Sequence, residues 1–223
     1  RKWIHIFMLL DSNPGNDAVE KVALFESMIK GETFVFFDVE DFELIIEYYL
    51  ELDLKKKAKK ALEIALEQYP IDLALTLIKI EFLNSSQRFD ESLKALNNLN
   101  KFHPNNIDVV LGLGRLYSLM ENKPHAIKYL NHAHDLILLD SSYNDHLQDL
   151  SYEFIQIGKF DSAIKVLKQI LSFKPNDETV MMELGVAYHE SGKFQESVNY
   201  FKEVIDGNPY SHIAWFNLAT IYN

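Results

Sequence analysis

Residues 178–211, ETVMMELGVAYHESGKFQESVNYFKEVIDGNPYS, read as two short amphipathic helices joined by a tight turn. Met181, Leu184, Gly185 and Tyr188 fall on one face of a 3.6-residue period. Gly192, in Glu190-Ser191-Gly192-Lys193, is where such a helix turns left-handed and stops. Phe194, Ser197, Phe201 and Val204 form a second apolar face, and Pro209 closes the unit. Helices this short cannot bury both faces against each other alone, so the hairpin requires neighbours of its own kind.

A shift of 34 residues finds one, because Leu150-Ser151 falls on Leu184-Gly185 and Gly158-Lys159-Phe160 on Gly192-Lys193-Phe194. Phe154 falls on Tyr188, Ala163 on Ser197 and Pro175 on Pro209, while Trp215, Leu218, Ala219 and Tyr222 repeat the first-helix face downstream. The spacing and residue types resemble the tetratricopeptide repeat, with its large residue, Leu-Gly or Leu-Ala, Tyr, and closing Pro. The resemblance implies an all-α, right-handed solenoid of helix-turn-helix repeats over residues 39–223. The repeats fall near 39–72, 73–106, 107–143, 144–177 and 178–211, with a partial one at 212–223.

Upstream, residues 1–38 read as an N-terminal segment with one helix and an extended linker. Asn13-Pro14-Gly15-Asn16 is a turn signal, followed by Asp17 as N-cap. A helix from about Ala18 to Lys30 would bury Val22, Phe25 and Ile29 and end at Gly31. Thr33-Phe34-Val35-Phe36-Phe37 is extended and expected to be covered. The apolar run Trp3 to Leu10 is too short to cross a bilayer and lacks a cleavage signal. It reads as a segment docked on apolar surface, or as one foreign to the natural chain.

In the first repeat Asp38 is the N-cap, Phe42, Ile45, Ile46 and Tyr49 pack the first helix, and Ala58, Ala61, Leu62 and Ala65 pack the second. The second repeat carries Lys79-Ile80 where Leu-Gly is usual, with Phe89, Ser92, Leu96 and Leu99 in register. The third returns to type with Leu113-Gly114 and Tyr117 but is three residues too long, the surplus lying in 138–143. Its second helix is therefore extended or its loop bulges. The last helix, apolar nearly all round, reads as one that continues into further chain or self-associates through its open face.

The composition narrows the chemistry. A net charge of −11 opposes nonspecific binding to nucleic acid or an anionic membrane. The absence of cysteine excludes disulfides, thiolate chemistry and Cys-ligated zinc. Gly112-Leu113-Gly114 lacks the third glycine of a dinucleotide loop, so these glycines read as close-packing positions. His132 and His134 point apart on a helix, and no catalytic spacing involves any histidine. No catalytic residue, cofactor or metal is assigned. Lys55-Lys56-Lys57-Ala58-Lys59-Lys60 reads as a solvated outer face or a contact for an acidic partner.

The resemblance implies that first helices line a concave, partner-binding surface. Its groove positions correspond to Glu40, Glu43, Glu47 and Glu51, then Leu77, Glu81 and Asn84, then Asp108, Leu111, Arg115 and Ser118. Gln148, Tyr152 and Ile155 follow, then Met182, Val186, His189 and Phe216. The first four place carboxylates on one stripe, an acidic half that would receive Lys or Arg and grade into an apolar half near Tyr152, Met182 and Phe216. Chaperone-binding members of the family use Lys and Asn to hold carboxylates, and Glu43, Glu47, Leu77 and Glu81 stand at those positions here. The reading is thus a non-enzymatic scaffold for a protein or peptide with basic residues. Its rivals are a regulatory or assembly subunit whose activity lies beyond Asn223, and an enzyme hidden in the groove.

Overall fold

The computed structural model describes residues 14–222. The run Trp3–Leu10 lies outside the described residues, and so does the expectation that it docks on apolar surface. Among the described residues there are twelve α-helices, one 3-10 turn and no strand. They form two compact units that part between Arg88 and Phe89, inside the expected second repeat.

The first unit holds α1 (Pro14–Ile29), α2 (Val39–Glu51), α3 (Lys55–Gln68) and α4 (Leu73–Ser85). Helix α1 begins four residues before the expected start, because Pro14 serves as a first helical residue with its φ already set. It ends as expected at Gly31, whose φ of +74° lets Glu32 N–H reach Ser27 O at 3.0 Å. Ile29 is exposed rather than buried. Phe25, Phe37, Phe42, Ile45, Ile46, Tyr49 and the small residues Ala58, Ala61 and Ala65 make one core. Phe25 meets Phe37 and Phe42 edge-on at 5.9 and 6.1 Å. The expected cover over 33–37 is only half realised. An extended chain turns alternate side chains to opposite sides, so Phe37 is buried while Phe34 and Phe36 face solvent.

The second unit holds α5 (Phe89–Phe102), α6 (Ile107–Leu119), α7 (Lys123–Leu139), α8 (Leu147–Gln156), α9 (Phe160–Phe173), α10 (Glu178–Glu190), α11 (Phe194–Gly207) and α12 (His212–Tyr222). The surplus of the third repeat is spent in both expected ways. Helix α7 has 17 residues where α9 and α11 have 14, and a 3-10 turn, Ser141–His146, follows it. Consequently α8 starts at Leu147, not Asn144. Phe194 is exposed at the start of α11 instead of joining the buried Ser197, Phe201 and Val204.

Four of the first helices, α2, α4, α6 and α10, are capped by one chemistry, whereas α8, entered from the 3-10 turn at His146, has no side-chain cap. Asp38, Asp72, Asn106 and Asp177 each accept from the backbone N–H three residues on, with Asp38 and Asp41 completing a reciprocal capping box. The helix pairs of the second unit close on small residues. A Cβ at Gly185 would stand 2.6 Å from Phe201 Cε1, and one at Gly114 2.6 Å from Leu130 Cδ2. Ser197 Oγ also donates to Gly185 O at 2.6 Å across the same contact. Replacing Gly185 with Leu should therefore destabilise the protein by about 1–3 kcal/mol, seen as a lowered thermal midpoint. An unchanged midpoint would mean that this pair of helices is not packed as described.

Candidate functional site

The candidate surfaces lie on first helices, one set in each unit. On α2, Phe42, Ile45, Ile46 and Tyr49 take the core side, which leaves Glu40, Glu43, Glu47 and Glu51 on the remaining face. Glu40 and Glu51 are exposed, Glu43 and Glu47 half-buried. Among the described residues no cation forms an ion pair with any of the four. The lysines of α3 turn elsewhere, Lys57 to Glu26 at 2.6 Å and Lys55 to Asp53 at 3.4 Å.

That isolation has an electrostatic signature. Burial, reinforced by Glu51 and then Glu43, pushes the Glu47 carboxyl up to about 7. Burial also raises Glu43, with Asp72 and Glu40 adding to it. Glu26 on α1 shows the opposite case. Lys57 and then the Tyr49 hydroxyl, which donates to it at 2.7 Å, hold its carboxyl below the ordinary range. On α4, Leu77, Glu81 and Asn84 are half-buried, and Asn84 Oδ1 is buried without a hydrogen-bond donor among the described residues.

In the second unit the structure engages several groove positions internally. Arg115 donates from Nε to Glu153 at 3.0 Å and lies 3.5 Å from Asp149, so α6 is tied to α8. Glu153 is only 6% exposed, and Arg115 supplies the charged partner that its burial requires. Gln148 donates to Glu183 at 2.6 Å, which ties α8 to α10, while burial still raises the Glu183 carboxyl. Asp108 lies 3.9 Å from His146. Sequence reading did not single out Glu153, Asp149 or Glu183. Only their spacing from Arg115 and Gln148, one repeat along, hints at the pairing.

The apolar positions divide. Leu111 is buried within the core and has little surface to offer. Tyr152, Ile155 and Met182 are half-buried, as are Ser118 and His189. Val186 is exposed and Phe216 is 72% exposed on α12, next to exposed Trp215 and Ile213. Ala214 and Leu218 anchor α12 to the core beneath. Gly112 and Gly114 stand where Leu96 and Leu130 approach, in keeping with close packing rather than a phosphate loop. Among the described residues no cluster of three His, Asp or Glu could hold a metal ion, and no helix is long and apolar enough to cross a membrane.

Because folded Glu47 holds its proton more tightly than an unfolded glutamate, its contribution to stability is full below about pH 4.5 and fades as pH rises through 7. The thermal midpoint should thus fall between about pH 4.5 and 7, and Glu47→Gln should remove on the order of 1–2 kcal/mol of that dependence after solvent screening. Parallel pH profiles for the two proteins would contradict this environment for Glu47.

Residues 149–212 match the family model of the tetratricopeptide repeat. No curated protein matches the chain. Among solved structures, the MamA protein is 20% identical, with 86% of this chain and 92% of that one covered at a TM-score of 0.52. A tetratricopeptide repeat protein from Parabacteroides merdae is 16% identical over 93% of this chain and 73% of that one, with a TM-score of 0.58. YrrB, a tetratricopeptide repeat protein with an unusual peptide-binding site, is 17% identical over 73% of this chain and 82% of that one, at 0.54.

Proposed function

We propose that this tetratricopeptide repeat protein is a non-enzymatic scaffold whose first-helix faces bind a protein or peptide carrying Lys or Arg. The observation that carries the reading is the pair Glu43 and Glu47, half-buried carboxylates to which no other described residue offers a cation. A partially desolvated carboxylate without a partner costs free energy, and an arriving ammonium or guanidinium relieves that cost. In the second unit Arg115 pairs with Glu153 and Asp149. Tyr152, Ile155, Met182, Val186 and Phe216 supply apolar contact area on α8, α10 and α12. The peptide-binding site of YrrB, a structure of similar fold, supports a peptide as the ligand class.

A partner recovered with the chain as bait provides the test. Its association rate should fall as salt rises, because an acidic field steers a basic ligand. Each exposed contact contributes only about 0.2–1 kcal/mol, so the informative variant changes Glu43, Glu47 and Glu51 together to Gln. That variant should associate more slowly and lose most of the salt dependence. Tyr152→Ala should instead raise the dissociation rate. Undiminished binding by the triple variant at low salt would leave the α2 stripe as an ordinary solvated face.

A further inference from the structure

On α10, Met181, Gly185 and Tyr188 form a buried stripe that α11 covers. Phe201 fills the space at Gly185, Met181 packs with Val204 and Ile205, and the Tyr188 ring stacks on Tyr200 at 5.5 Å. One repeat along, the same stripe on α12 is Trp215, Ala219 and Tyr222. There Trp215 is 52% and Tyr222 65% exposed, and Ala219 is exposed between them. Ala214 and Leu218 hold a different side of α12 against the core, so the open stripe is a face of its own. The indole on it is held in place, its Nε1 donating to Pro209 O at 3.0 Å.

We propose that this stripe pairs with its counterpart on a second copy of the chain, α12 against α12, antiparallel about a two-fold axis centred at residue 217. The spacing His212, Trp215, Ala219, Tyr222 alternates three and four residues, as the seam of two paired helices does. Centred there, Trp215 of each copy meets Ala219 of the other, and His212 meets Tyr222, every contact being made twice. Large therefore faces small, as Phe201 faces Gly185 and Leu130 faces Gly114 within the chain. Antiparallel is also how α11 lies on α10, the two being joined by residues 191–193 alone.

Charge points to the same occupant. The chain carries a net charge of −11, yet residues 207–223 contain no Asp, Glu, Lys or Arg. A basic ligand of the kind proposed for α2 finds no counter-charge on this helix. Two acidic copies can meet along it without setting like charges on the helix against each other. Trp and Tyr are also the residues that most often anchor such contacts.

Sedimentation of the chain at rising concentration tests the pairing. The parent should dimerise, and more strongly as salt screens the repulsion between two acidic copies, the reverse of the salt response expected for the α2 stripe. Trp215→Ala and Ala219→Trp should each weaken the dimer about tenfold, one by removing the large side chain and the other by filling the space it enters. Trp215→Ala combined with Ala219→Trp exchanges large and small on both copies, and should return the dimer to within about threefold of the parent. Cross-linking gives a second readout, because the chain has no native cysteine. An equal mixture of His212→Cys and Tyr222→Cys chains should form disulfide dimers about tenfold faster than either chain alone, since two copies of residue 212 lie about 15 Å apart along the pair and a disulfide spans at most about 7 Å between Cα atoms. A parent that stays monomeric, a double substitution no better than the single ones, or a mixture that cross-links no faster than either chain alone overturns the proposal. Monomers in which Ala219→Cys resists a thiol reagent overturn it too, by assigning the stripe to a segment of the same chain.

Discussion

Everything in this molecule depends on how closely two short helices approach within a pair. Where α10 meets α11, the first helix presents Gly185 and the second fills the space with Phe201. In the pair α6 and α7, Gly114 meets Leu130. The first unit reverses the sizes. There α2 brings Ile45 and Ile46, and α3 answers with Ala58, Ala61 and Ala65 in the same core. Large against small is kept, whichever helix supplies the large residue, because a packed interior tolerates neither a void nor an overlap. Close approach on the core side also fixes which residues remain on the opposite face of each first helix, and those are the candidate binding residues.

Much of this was legible because helical periodicity and the Leu-Gly and Gly-Lys-Phe recurrences are local signals. The core positions Phe42, Ile45, Ile46 and Tyr49 could be named from spacing alone, and they are buried. Turn chemistry was legible only where the sequence used glycine. Gly158 and Gly192 adopt positive φ between paired helices, and so do Asp53, Gln87 and Glu121, which carry no such label. The hydrogen bonds explain why these three are tolerated. Glu121 N–H reaches Ser118 O and Asn122 N–H reaches Tyr117 O, the same closure that Gly192 and Lys193 make on His189 and Tyr188. The exposure of Phe34 and Phe36 was missed because a five-residue apolar stretch does not reveal which of its sides the core will take.

The candidate surfaces were legible as a list of positions but not as a set of partnerships. Arg115 reads as a lone groove cation until Glu153 and Asp149 are seen across the neighbouring helix. Gln148 reads as an available amide until Glu183 is seen to accept from it. Such pairs join residues a full repeat apart, beyond any local pattern. The α2 stripe is the reverse case, because four carboxylates were visible at once and the structure adds that burial, rather than repulsion alone, perturbs Glu43 and Glu47. The two units therefore treat charge differently. The second pairs Arg115 and Gln148 with carboxylates of the neighbouring helix, and in the first no described cation pairs with Glu43 or Glu47.

The central claim is that binding belongs to the faces of first helices while second helices serve packing. Backbone hydrogen exchange reads this directly, in the full chain with and without a partner recovered by it. The account predicts that slowed exchange on binding concentrates in α2, α6, α8 and α10, with α3, α7, α9 and α11 little changed. Protection centred on the second helices, with the first helices unaffected, would contradict it.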